Sequence, residues 1–289
     1  MLCNEFDPDR KALIDPQEQF RPIAGFPEIC VMAFSAHIVE KCLERYGGEQ
    51  IADVPFCTGR VPIYRVAIDG TEVALSMPHV GGPAASAFIE EVWPRGGKYF
   101  VFFGAAGVLD RNIPLNSFIL PTAAVRDEGL SYHYLPPAEE VTLDAACVAA
   151  CREALESLGL PYTQGKTWTT DAFYRETRGK MERRKAQGCV SVEMECAALA
   201  AVASSGGCGL PSSSTPRTTW DGPRVGQRRA PPEGRVCHRG VHCRRRGKQA
   251  AGCGRCNNQR RSLPWQKLPP FTTTLWTFPA RKTCLWWTL

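Results

Sequence analysis

Two glutamates, Glu193 and Glu195, flank Met194 where an apolar run (189–194) meets an Ala-rich stretch (196–203). A carboxylate inside an apolar run is costly unless it bonds something. A sugar diol suits it, because one carboxylate accepts from two adjacent hydroxyls. Helix capping is the competing account, since acids near a helix start offset the macrodipole. Upstream, Thr169-Thr170-Asp171-Ala172-Phe173-Tyr174, followed by Arg175 and Arg178, gathers hydroxyls, a carboxylate, aromatic faces and guanidiniums. Such a set fits a planar ligand with polar edges, with a ring stacked on it and Arg or Asp bonding its edge. Aromatic packing beside a solvated basic turn is the plainer alternative. Gly81-Gly82-Pro83 ahead of an apolar-periodic stretch offers bare N–H groups to an anion or a sugar, or is simply a tight turn. Gly104-Ala105-Ala106-Gly107 ends an apolar run, where ligands sit in open α/β sheets or where glycine serves sterics alone.

The elements that position these groups follow from the hydrophobic pattern. Residues 29–34, 99–103, 117–125, 166–170 and 189–194 read as buried strands, and 63–68 and 73–77 as a hairpin around Asp69-Gly70. Ser35 and Asp144 are placed to cap helices, the first stopping at Gly47-Gly48 and the second at Gly159. Residues 84–93 and 196–203 are helical, Pro83 fitting a first turn. Strands alternating with helices predict an α/β fold with a largely parallel or mixed sheet covered on both faces.

The chain carries a net charge of +6 that divides unevenly. Residues 1–203 sum to −8 and residues 204–289 to +14, so the body has no general nucleic-acid-binding surface. The eight body cysteines lie mostly in apolar runs without regular spacing, as reduced thiols in a cytoplasmic protein do. No run is long enough to span a bilayer. Three parts are expected: a polar lead-in (1–25), an α/β domain (26–203) and a basic Pro/Arg/Trp/Cys-rich tail (204–289). The tail holds nine of 23 prolines and five of seven tryptophans but no Ile, Met or Tyr. That mixture fits neither a natural disordered segment nor a core, and we read it as disordered or as coding sequence out of frame. Cys253 and Cys256 have a real ligand spacing, but Cys237-His238 and His242-Cys243 are not a usual ligand pair and no hairpin surrounds either half, so no metal is expected.

Read together, VEMECAAL (192–199) and TTDAFY (169–174) resemble the family of uridine phosphorylase, bacterial purine nucleoside phosphorylase and the methylthioadenosine/adenosylhomocysteine nucleosidases. Gly81-Gly82-Pro83, Phe103-Gly104-Ala105-Ala106-Gly107 and PTAAVRD (121–127) fall in the family's order. The resemblance implies a single α/β domain with a central mixed sheet partly closed into a barrel. It implies cleavage of a nucleoside's N-glycosidic bond by phosphate, through an oxocarbenium-like transition state, to free base and ribose 1-phosphate. Glu193, Met194 and Glu195 would hold the ribose; Thr170, Phe173, Arg175 and Arg178 the base; and Arg60, Gly81, Gly82, Gly104 and Ala105 the phosphate. Glu195 and Arg178 would be the catalytic pair. Inorganic phosphate would be co-substrate, with no cofactor, and the partners would be copies of the chain sharing active sites, with Arg60 donated to a neighbour.

Departures from the family pattern keep other readings open. Phe102 and Ala105 stand where uridine phosphorylases carry a phosphate-binding arginine and threonine, and residues 32–37 lack the glycine and arginine of their first phosphate loop. Water could therefore replace phosphate, as in a nucleosidase. The family continues past its Glu-Met-Glu helix with a strand and a covering helix that we do not expect from 204–289. The fold would then lack its C-terminal part, and an inactive nucleoside-binding remnant is a third reading. The sequence does not decide between purine and pyrimidine.

Overall fold

The buried run Ile29–Ala33 becomes β1, flanked on both sides by parallel partners, β4 (Thr71–Ser76) and β5 (Tyr99–Gly104). The structure is a computed structural model that describes residues 5–9, 11–114 and 117–205, together with the backbone of 284–288. A strand buried on both faces needs no alternation, which is why ICVMA reads as a continuous apolar run. Ahead of it, Asp15 caps the short α1 (Pro16–Gln19) by accepting from Gln17 N–H at 2.9 Å. After it, α2 (Ala36–Tyr46) begins at Ser35 and ends at Gly47. The hairpin of β3 (Gly59–Ile68) and β4 turns at Asp69-Gly70, both with positive φ (48° and 81°), the two-residue geometry that matches strand twist.

The rest of the sheet follows α3 (Gly82–Val92). Strands β7 (Phe118–Asp127), β9 (Tyr162–Thr170) and β10 (Cys189–Glu193) run parallel to one another. β2 (Glu49–Phe56) pairs with β3, β6 (Gly107–Val108) with β10, and β8 (Glu140–Thr142) with β7, all antiparallel. Helix α5 (Ala145–Ser157) starts where Asp144 accepts from Ala146 and Cys147 N–H. Helix α7 (Cys196–Ser205) is apolar all round and buried through Val202, packed against α3, β7 and the short α4 (Ser131–Tyr134).

Three expectations are corrected. The sheet runs as an open path from β2 to β6, so the barrel closure is not seen among the described residues. Residues Cys284–Thr288 form β11, parallel to β5 and meeting β7 at Thr288, so these five tail residues do supply a strand. They lie between β5 and β7, where two sheet edges would otherwise stand open, and their type favours a strand. Of the expected tail, residues 204–205 end α7, and residues 206–283 and 289, with the candidate zinc cysteines, lie outside the described residues. The basic turn weighed as the plainer alternative around Arg178 is helix α6 (Arg178–Ala186). Thr177 caps it, and Lys180 and Arg184 reach across Trp168 to Asp127, which a hydrophobic-periodicity reading cannot detect.

Helices α3 and α7 touch through Gly82. A Cβ there would sit 2.8 Å from the Ala198 Cβ. Gly82→Ala is therefore expected to cost about 1–3 kcal/mol of stability by overpacking, read as a lower denaturation midpoint. Adding Ala198→Gly should recover part of that loss; no recovery would mean that the contact is not the cause.

Candidate active site

Parallel strands β7, β9 and β10 end side by side at Asp127, Thr170 and Glu193, and the polar motifs follow directly from those ends. This is the edge at which open α/β sheets bind ligands. Glu195, 4% exposed, reaches from the start of α7 to the start of α3, where its Oε1 accepts from Gly81 N–H at 2.6 Å. Gly81 adopts φ 98°, a conformation that L side chains rarely adopt. Open space faces its missing Cβ.

Glu193 ends β10, just ahead of α7, and is 5% exposed. Its Oε2 accepts from Glu195 N–H (2.8 Å) and Cys196 N–H (2.6 Å), capping α7, while Oε1 accepts from Thr169 Oγ1 (2.5 Å) and more distantly from Thr167 Oγ1 (3.4 Å). Thr169 Oγ1 in turn accepts from Ala197 N–H at 2.9 Å. The Glu193 oxygens thus hold the helix start, as the capping alternative has it. Burial pushes the Glu193 carboxyl up to about 7, opposed by these hydrogen bonds and helped by the charge of Glu195. Burial also raises Glu195, opposed by the backbone N–H groups of Gly81 and Met194. Met194 is half-buried, and its carbonyl oxygen lies 3.7 Å from where a Cβ on Gly82 would be.

On the other side of Thr170, a 3-10 turn holds Phe173–Arg175. Phe173 is 49% exposed and Tyr174 90% exposed, their ring centroids 4.1 Å apart. Phe173 is therefore a presented face, not core. Arg175 and Arg178 are exposed and form no ion pair among the described residues. The Thr170 side chain is buried and accepts from Ala172 N–H at 3.3 Å, holding the turn's first residue.

Of the groups expected to bind phosphate, Gly81 and Gly82 open α3, and the others lie on other segments. Arg60 stands at the tip of the β2–β3 hairpin, paired with Asp53 of the same hairpin. Gly104 is buried against Phe34, whose Cβ would be 3.0 Å from a Cβ on Gly104, and Ala105 is exposed. No hydrogen bond joins either residue to Glu195 or Gly81 among the described residues. Sequence reasoning also passed over Glu128, which is 6% exposed and accepts from both Ser131 N–H (3.0 Å) and Ser131 Oγ. Its Oε2 lies 4.0 Å from the Gly82 Cβ position, and an isolated acid after a strand gives no signal of that.

The family model described as "Phosphorylase superfamily" matches residues 28–210. The chain belongs to the phosphorylase superfamily. It is 31% identical over 158 residues to a uridine phosphorylase of Salmonella typhimurium, covering 50% of this chain and 62% of that protein. A purine nucleoside phosphorylase of Shewanella oneidensis is 28% identical over 131 residues (45% and 56%), and a guanosine phosphorylase of Halorubrum lacusprofundi 25% over 141 (49% and 58%). The chain thus spans about three-fifths of the length of these relatives. No helix among the described residues is long and apolar enough to cross a membrane, and no group of three or more acidic, His or Cys side chains there could hold a metal.

The raised acids set a pH dependence. A carboxyl whose folded value exceeds its unfolded one, near 4.5, keeps its proton in the folded state, so its stabilising contribution is full below about 4.5 and is lost as pH rises through about 7. Thermal melts at about pH 5 and about pH 8 should show this loss, and Glu193→Gln should shrink the difference between them. An undiminished difference would place its source elsewhere.

Proposed function

We propose that the chain is a nucleoside phosphorylase, cleaving a purine or pyrimidine nucleoside with inorganic phosphate to free base and ribose 1-phosphate. The observation that carries this reading is the buried Glu195 carboxylate, fixed by Gly81 N–H at the strand end beside Met194. A carboxylate held in one orientation accepts charge-assisted hydrogen bonds from the two ribose hydroxyls without reorganising. It also places negative charge near a sugar that becomes cationic as the glycosidic bond breaks. Phe173 supplies a face for the base, and Arg175 and Arg178 its edge contacts, Arg178 being the group placed to offset charge on the departing base. Gly81 and Gly82 line the sugar. The reaction needs phosphate as co-substrate and no cofactor, and we place it in the cytoplasm, where thiols stay reduced. We further propose a homo-oligomer in which Arg60 completes a neighbour's site, with neither nucleic acid nor membrane as partner.

A nucleosidase reaction with water is the second reading. Phe34 packed on Gly104 and the fully buried Phe102 make the expected phosphate side apolar. Base release measured with and without phosphate separates the two: dependence on phosphate supports phosphorolysis, and equal rates establish the nucleosidase.

Glu195→Gln keeps an oxygen for Gly81 N–H but loses the charge-assisted bonds to the diol. It is expected to weaken nucleoside binding by about 1.5–3 kcal/mol, roughly ten- to a hundredfold, with unchanged circular dichroism. Affinity within about twofold of wild type would refute the ribose role. Phe173→Leu keeps apolar volume without a π face, so it should lower nucleoside affinity by about 0.5–1.5 kcal/mol while the melting temperature holds. A purely thermal effect would make Phe173 a packing residue.

A further inference from the structure

The segment between β9 and α6 carries Phe173 and Arg175 and leads into Arg178. Residues 171–178 are exposed throughout, and bonds within the segment give it shape: Arg175 N–H donates to Ala172 O at 2.7 Å and Glu176 N–H to Phe173 O at 3.2 Å. Neither bond fixes where that shape stands relative to Glu195. Asp171 supplies the missing tie, its Oδ2 accepting from Gly129 N–H at 3.0 Å. Among the described residues, no other side-chain hydrogen bond joins 171–176 to a different loop.

The loop that receives it is itself held. Glu128 bonds the backbone and hydroxyl of Ser131, and Ser131 Oγ accepts from Arg126 Nε at 2.8 Å. Arg126 is 5% exposed and spends its other nitrogens on the Pro136 and Leu135 carbonyls. Glu128 Oε2 lies 4.0 Å from where a Cβ on Gly82 would be, close to the Gly81 N–H that holds Glu195. The loop 128–131 thus donates a hydrogen bond to the segment with the exposed aromatics and brings Glu128 close to the start of α3, where Glu195 is held.

We propose that Asp171 is a positioning residue that holds the base-binding segment in register with the ribose carboxylate. This rests on the nucleoside reading of the site. Without the bond the segment samples more arrangements, and apparent affinity falls by the fraction of time it spends in the competent one. The chemical step is untouched, because Asp171 acts on neither sugar nor nucleophile. Asparagine retains an acceptor oxygen for Gly129 N–H; alanine does not.

The test compares the full-length chain with its Asp171→Ala and Asp171→Asn variants, by steady-state base release and by amide hydrogen exchange without ligand. Asp171→Ala should raise the nucleoside KM about fivefold or more with kcat within about twofold, and Asp171→Asn should restore most of the loss. Exchange should quicken across 171–176 and at Gly129 in the alanine variant, but not in α7. An unchanged KM, a melting temperature lowered with KM unaltered, no rescue by asparagine, or unchanged exchange would each overturn the proposal. If the wild type releases no base from any nucleoside, the proposed function fails while the exchange measurement still decides whether Asp171 orders the segment.

Discussion

A single hydrogen bond across the sheet end, from Gly81 N–H to the buried Glu195 carboxylate, constrains much of what surrounds it. It requires α3 and α7 to begin next to each other, which requires Gly82 to have no side chain. It requires a left-handed backbone at Gly81, hence glycine there too. A charge at that depth also requires N–H donors, and the first turn of a helix supplies bare ones. Two helix starts share the burden, since α7 would have open N–H groups of its own if Glu193 did not take two of them. The two glutamates around Met194 are alike in sequence but divide the work, one holding a helix and the other facing the ribose side in our reading.

That division marks the limit of what the sequence discloses. The buried strands β1, β5, β7 and β10, the Asp69-Gly70 hairpin and the Asp144 cap are local features, each written in a few consecutive residues. They were legible because burial on both faces and capping leave local signatures. β2 was missed because EQIADVPF is half exposed and carries charges at Glu49 and Asp53, so no apolar run announces it. α6 was missed because its partners, Asp127 and Trp168, lie on other elements. Roles at the site were harder still: whether an acid caps a helix or faces a ligand depends on which N–H groups come near it, and those come from distant segments.

The same principle governs Arg126. Its guanidinium is buried over the Tyr132 ring and saturated by a hydroxyl and two carbonyls, so it stabilises the turn after β7 and has little left for a substrate. Burying an arginine is tolerable when each nitrogen finds an acceptor. The energy goes into holding 128–131 in place, and so into the position of Gly129 and Glu128.

Charge bookkeeping then bears on the choice of nucleophile. Three acids, Glu128, Glu193 and Glu195, are buried near the starts of α3 and α7, whereas the exposed guanidiniums Arg175 and Arg178 stand on the side we propose for the base. A phosphate anion approaching the sugar would meet this negative set, softened by the raised values of Glu193 and Glu195 and by the positive helix starts. Water would meet no such barrier. In the proposed reading, phosphorolysis demands a cation, and among the described residues the side proposed for phosphate presents Phe34 and Phe102 instead. Arg60, at the tip of the β2–β3 hairpin and paired there with Asp53, is the group we propose to come from another copy. Phosphate as nucleophile and a shared active site are on this argument one proposition, and a protomer working alone would be driven toward water.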